Sequence, residues 1–383
     1  MIAAHPSRPR AGGILLLGPA PPALADDTRR LLAQLEQLQL RQHVEVIAGA
    51  SPQSGGRATR FCLRAEVAER WAPGHDTLDL AARLQLDTAR STDDLEREIL
   101  LTMLLGPLAF EFPSHAEMAS SVRIRRNIVL AARKTALAFY TAEADRPEDC
   151  WTYDPERGFT VRPGEPLIAA LRKATQPEAS GRRYAFSCYR ATEYVMLLGI
   201  AQELERSNPP LLVALQRQWE RRALTSEEFR SVFLHEHGAM AMPLPPRYYV
   251  PGDRVWFRNP DAHSRNATGY EGSWVLYLGG GLFTNFWTDD PPYTLHSKCL
   301  EMFQWRHTAY TDAAGDVRID ESRVTARLQA LQADPAQTAG ILQQMLCLRD
   351  PQLPSPLGGC LDASREFARR VCPGTADLVL PDA

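Results

Sequence analysis

The sequence predicts an α+β protein, on three observations. Helical periodicity dominates up to about residue 230; from Tyr248 the apolar runs shorten to strand length, with Gly-rich turns between them; and no internal repeat breaks that order. The chain has 383 residues, 44% hydrophobic and 23% charged, which suits a folded globular chain and excludes wholesale disorder. With 43 Lys+Arg against 46 Asp+Glu, the net charge of -3 provides no global attraction to phosphate backbones, so no nucleic-acid partner is expected. Apolar runs such as residues 14–17 and 195–200 are far short of the roughly 20 residues that span a bilayer, and no membrane association is expected.

The elements follow in order. Residues 1–22 are Pro/Gly/Ala-rich and read as a flexible arm. Leu31, Leu32, Leu35, Leu38 and Leu40 recur at helical spacing over residues 26–42, and further helices are predicted near residues 77–89 and 92–105, so residues 23–107 read as a helical N-terminal extension. Ser114-His115-Ala116-Glu117 is a capping box opening a helix that extends to about residue 140. Residues 151–161 read as a hairpin turning at residues 154–158, and residues 166–174 as a short helix. Phe186-Ser187-Cys188 leads into an apolar helix over residues 191–204, and residues 211–221 and the Thr225-Ser226-Glu227-Glu228 box mark two more. Strands are predicted at residues 255–257, 274–278 and 282–287, with Asp289-Asp290 in an exposed turn. Residues 309–350 form C-terminal helices, and residues 351–383 a Pro/Gly-rich, weakly packed tail.

The seven cysteines are odd in number, irregularly spaced and without a CxxC pair, which suggests neither a disulfide framework nor a zinc ribbon. A reducing, cytoplasmic location is the simplest reading. Export is the alternative, resting on Arg8 and Arg10 before a short apolar stretch and on Ala23-Leu24-Ala25, although Pro19, Pro21 and Pro22 interrupt it.

Cys188 stands out because it opens a helix, where unpaired N–H groups and the helix dipole favour a thiolate. A cysteine there, followed by a sheet, is the arrangement of papain-like enzymes; a buried structural cysteine is the competing reading. His235 and His237 flank Glu236 at a spacing that suits metal ligation on a strand, but no third ligand is evident, and two surface histidines at a helix end is the preferred reading. Trp256, Trp274, Tyr277, Trp287 and Trp305 read either as sheet core or as the wall of an apolar groove.

Four stretches resemble, in the same order, the small bacterial protein-glutamine gamma-glutamyltransferases of spore coats. They are Ser114-x-x-Glu117 running into Arg125-Arg126-Asn127-Ile128-Val129-Leu130, Trp151-x-x-x-Pro155-x-x-Gly158, Tyr184-Ala185-Phe186-Ser187-Cys188, and Gly252-Asp253-Arg254-Val255-Trp256-Phe257-Arg258-Asn259-Pro260. The resemblance covers residues 108–308, taken as the catalytic core. It implies the NlpC/P60 branch of the papain-like fold, a nucleophile helix packed on an antiparallel sheet. It also implies a cysteine acyltransferase without cofactor or metal that joins a glutamine side chain to an amine through a thioester on Cys188. The partners would be a glutamine-bearing protein or peptide and an amine donor.

The partner positions depart from the family. Ser187 replaces an acidic residue, Ser273 stands where the family has Glu, and Asn285 where it has His. Glu271, two positions before Ser273, would share its face on a strand and serve as the acid/base group; the alternative is a turn with Glu271 in solvent. Asn285 would orient a partner or donate to an oxyanion but cannot act as a base. Trp274 and Trp287 are the substrate-binding candidates. Two further readings stay open: a degenerate binding protein of the same fold, and a hydrolase that deamidates glutamine through the same cysteine.

Overall fold

A computed structural model describes residues 12–18, 20–50, 56–139, 144–287, 291–349 and 359–381. The arm before residue 12, the Asp289-Asp290 turn and residues 351–358 of the tail lie outside the described residues.

The N-terminal region is mixed rather than helical. It runs β1 (Gly13–Leu17), α1 (Pro21–Gln37), β2 (Val44–Ala50), β3 (Arg57–Leu63), α2 (Ala65–Trp71), α3 (Leu80–Leu84), α4 (Thr92–Leu104) and β4 (Ala109–Phe112). The strands form a sheet of order β2-β3-β1-β4, with β1 antiparallel to β3 and parallel to β4. Part of the expected flexible arm is thus a central strand. Its continuous apolar run, buried over residues 13–16, carries no alternation to betray it. β2 escapes for the opposite reason, being exposed along most of its length.

The middle of the chain follows the reading more closely. It contains α5 (His115–Lys134), β5 (Ala138–Phe139), the hairpin β6 (Trp151–Asp154) and β7 (Gly158–Val161), α6 (Leu167–Thr175), α7 (Pro177–Ser180), β8 (Ala185–Phe186), α8 (Cys188–Ser207), α9 (Pro209–Arg221), α10 (Ser226–Phe233) and β9 (Leu234–His237). Ser114 caps α5 by accepting the Glu117 N–H at 3.2 Å. Glu117 does not complete the box: its carboxylate accepts from the Cys372 N–H at 2.7 Å and the Thr375 hydroxyl at 2.8 Å, fastening the C-terminal segment to α5. α5 and α8 lie antiparallel, Arg123 meeting Glu203 and Asn127 meeting Gly199. A Cβ at Gly199 would fall 2.6 Å from Ile128 Cγ1, so only glycine allows the two helices this approach.

The remaining elements are β10 (Arg254–Arg258), β11 (Gly272–Gly279), β12 (Leu282–Phe283), β13 (Tyr293–Thr294), α11 (Leu295–Thr308), β14 (Ala309–Thr311), β15 (Val317–Ile319), α12 (Glu321–Leu331), α13 (Pro335–Met345) and β16 (Arg365–Ala368). Six strands pair antiparallel in the order β13-β12-β11-β10-β16-β9. β16 therefore lies inside the sheet, and Leu361, Val371 and Leu378 around it are buried. This differs from the expected loose tail: composition pointed to a tail, but a four-residue strand between polar neighbours is too short to register as a period.

Alternation along β11 divides two cores. Leu276 and Leu278 join the cluster built on α5 and α8, while Val275 and Tyr277, with Val255 and Phe257, pack against Leu295, Cys299 and Met302 of α11. No helix among the described residues is long and apolar enough to cross a membrane.

A buried ion pair and a buried carboxyl group pin this frame. Arg125 of α5 and Asp253 before β10 are 2% and 3% exposed, with Nη1 and Oδ1 2.7 Å apart. Nη1 also donates to the Pro251 carbonyl, and the guanidinium lies over the Phe110 and Phe367 rings. Glu98 of α4 reaches the Gly279–Gly281 turn, accepting from the Gly280 N–H at 2.9 Å and the Tyr277 hydroxyl at 3.2 Å. Burial pushes its carboxyl up to about 7 against the opposing hydrogen bonds from Gly280 and Tyr277.

Asp253→Asn leaves the Arg125 charge buried without its counter-charge and is expected to lower unfolding free energy by about 3–5 kcal/mol in urea titration. Glu98 binds its proton more tightly folded than unfolded, so its contribution is complete below about pH 4.5 and is lost as pH rises to about 7. That loss is on the order of 3 kcal/mol, and Glu98→Gln should flatten the corresponding slope in denaturation series across this window.

Candidate active site

Ser187 occupies the N-cap of α8, its hydroxyl accepting the Arg190 N–H at 3.4 Å. The residue standing at the family's acidic position thus serves as a helix cap. Cys188 is the first residue of α8 and is partly buried.

The sulfur faces the backbone N–H of Trp274 on β11. Thr284, just beyond β12, closes on Leu276: its N–H donates to the Leu276 carbonyl and its hydroxyl accepts the Leu276 N–H, both at 3.0 Å. Alternation directs the Trp274 N–H to the same edge two residues earlier, beyond the β11–β12 register of the described residues. Cys188 fills that place.

Three charges act on the thiol. Burial pushes its pKa up; the Trp274 N–H, the Lys298 ammonium and the Arg254 guanidinium oppose this, and the Glu271 carboxylate adds to it. The net direction is upward, so the helix start does not by itself hold the thiolate that its position led us to expect. The desolvation of a sulfur set between α8 and β11 outweighs the Trp274 N–H and the two cations.

Lys298 is the residue that sequence reasoning missed, since α11 was not read as a helix. It is buried, with Nζ 3.1 Å from Glu301 Oε2 and 4.2 Å from the Tyr293 ring centre. Burial disfavours its charge, but Glu301, Tyr293 and Cys188 outweigh that and hold its pKa above the usual lysine range. The only sequence signal was its rarity, one of three lysines in the chain. Arg254 is fully buried, bonded to Glu366 at 2.7 Å and to the Thr192 hydroxyl at 2.8 Å, with its guanidinium 3.9 Å from the Trp274 ring centre.

The other candidates separate. Glu271 precedes β11 in an exposed turn and accepts the Gly269 N–H at 3.3 Å, so the turn reading describes it, although its charge still reaches Cys188. Asn285 follows the Leu276–Thr284 pair by one residue and lines a groove of about 610 Å³ with Tyr293 and Glu301. Trp274 packs on Tyr189 and Trp256, ring centres 5.4 and 4.9 Å away. Trp287 packs instead on Phe139 at 5.1 Å, while Tyr277 and Trp305 belong to the core.

His235 and His237 lie on β9 rather than at a helix end. Burial, with Arg125 and Arg365 nearby, drives His237 down to about 3, and His235 pairs with Asp377 at 2.8 Å. Among the described residues no group of three or more His, Cys, Asp or Glu is placed to hold a metal ion.

The family model of protein-glutamine gamma-glutamyltransferases matches residues 78–351. A protein-glutamine gamma-glutamyltransferase of Halalkalibacterium halodurans is 23% identical over 227 residues, covering 55% of this chain and 70% of that protein. One from Bacillus licheniformis is 25% identical over 173 residues, covering 43% of this chain and 63% of the relative, so the chain spans less than two-thirds of that protein's length. A solved transglutaminase from Geobacillus stearothermophilus (without its C-terminal extension) aligns at 17% identity and a TM-score of 0.39, over 56% of this chain and 98% of that one. With a family model matched over most of its length, and a helix-opening cysteine set against a sheet edge, the chain belongs to the protein-glutamine gamma-glutamyltransferases.

Proposed function

We propose that this chain transfers the γ-acyl group of a protein-bound glutamine to a primary amine through a thioester on Cys188, within a papain-like arrangement of α8 on the six-stranded sheet and a catalytic core over residues 108–308. The observation that supports it is the position of Cys188: first in α8, against the Trp274 N–H at the sheet edge, and in the fields of two buried cations.

In this reading Lys298 and Arg254 lower the cost of forming the thiolate, and Glu271, the carboxylate whose charge reaches the sulfur, accepts the thiol proton. The sulfur adds to the carboxamide carbon, and N–H groups at the start of α8 receive the developing oxyanion. The C–N bond breaks, ammonia leaves with the returned proton, and the thioester remains. An amine then attacks the thioester carbon, forming an amide and restoring the thiol. Asn285 orients the carboxamide, and Trp274 and Trp287 contact the glutamine-bearing segment. A cytoplasmic location is part of the same reading.

One observation favours a second reading, a binding protein without turnover. The thiol is pushed up, Ser187 is committed to capping, and Ser273 is buried, so the family's acidic positions hold no group that exchanges protons here.

Incubation with a glutamine donor peptide and a labelled primary amine should give label uptake matched by ammonia release, both lost in Cys188→Ala. Ammonia without label would mean hydrolysis, and no acyl adduct on Cys188 by mass spectrometry would favour the binding protein. Alkylation of Cys188 by iodoacetamide should keep accelerating beyond pH 9, since the thiol lies above its ordinary value. Lys298→Met should slow it at pH 8 by roughly three- to tenfold, equivalent to half to one pKa unit.

A further inference from the structure

Beside Trp274 the sheet carries a cleft of about 290 Å³. That is at or below the lower end of small-molecule sites, which run about 300–1,000 Å³, and suits a single side chain. Trp256 and Trp274, their rings 4.9 Å apart, line it together with Met240. Met240 is 50% exposed and nearby Met242 46%, an unusual placement for two flexible apolar side chains. Gly272 makes this lining possible: a Cβ there would fall 2.5 Å from the Trp256 ring, so the indole lies directly over the backbone.

The charges around the cleft cancel. Arg230 pairs with Glu236 and Glu366 at 2.9 Å each, Arg254 with Glu366 at 2.7 Å, and Arg258 with Asp362 at 3.3 Å. Three cations and three carboxylates are thus committed to one another, leaving no ionic partner for a ligand. The cleft is linked to the nucleophile through Trp274, whose ring lines it while its N–H faces the Cys188 sulfur.

We propose that this cleft is a specificity subsite, taking an uncharged aromatic or aliphatic side chain that flanks the donor glutamine. The proposal rests on Cys188 being the acyl acceptor, and binding rather than turnover tests it separately. Titration calorimetry of the Cys188→Ala protein should compare end-blocked Phe-Gln-Gly, Ala-Gln-Gly and Asp-Gln-Gly. Phe-Gln-Gly should bind roughly tenfold tighter than Ala-Gln-Gly, with Asp-Gln-Gly weakest. Adding Met240→Asp, at an exposed position of the lining, should bring the Phe-to-Ala ratio close to one. Equal affinities for the three peptides, or a Phe preference that survives Met240→Asp, would overturn the subsite. Loss of label transfer with every donor, alongside an intact Phe preference in binding, would instead count against the acyltransfer reading and leave the subsite standing.

Discussion

Arg125 and Asp253 are buried together where α5 meets the entry to β10, and the positions of both walls of the site follow from that contact. α5 carries α8 along its length, and β10 carries β11, so the pair sets the distance between Cys188 and the sheet edge it faces. The chain reinforces the junction rather than relaxing it. Gly252 is at φ 88, and a Cβ there would fall 2.9 Å from the Arg125 backbone, so helix and loop touch through the one residue that permits it. An ion pair so deeply buried contributes little net energy compared with apolar packing of the same volume, whereas losing one partner leaves the other charge uncompensated.

The site shows the same economy of placement with the balance tipped differently. A sulfur pressed between a helix start and a sheet loses solvent, and that loss exceeds what one amide and two partly distant cations return. The cations are themselves engaged, Lys298 with Glu301 and Arg254 with Glu366, so part of their field is spent on their own counter-charges.

Much of this was legible in the sequence where one local rule decides one local feature. The Thr225 capping box, the hairpin turning at Gly158 and the Cys188 helix are governed by neighbours within four residues, and each appears where the pattern placed it. The motif carrying Arg125 and the one carrying Asp253 were both visible, but not that they touch, because the contact spans 128 positions. Lys298 was hidden for a related reason. α11 packs on the second core through one face while burying a lysine and a glutamine on others, so its apolar positions describe no clean stripe. β16 and Glu366 show the limit most plainly: four residues in a region composed like a linker complete the sheet and supply the counter-charge for Arg254.

That last placement bears on how the molecule is made. Synthesis delivers α8, β10 and β11 early, but the strand that separates β10 from β9 emerges only when residue 368 has left the ribosome. Until then Arg254 lacks the Glu366 carboxylate and has the Thr192 hydroxyl of α8 as its remaining partner of the two. The sheet that Cys188 faces is thus completed by a segment far along the chain from α8, so its assembly waits on a contact of long sequence separation.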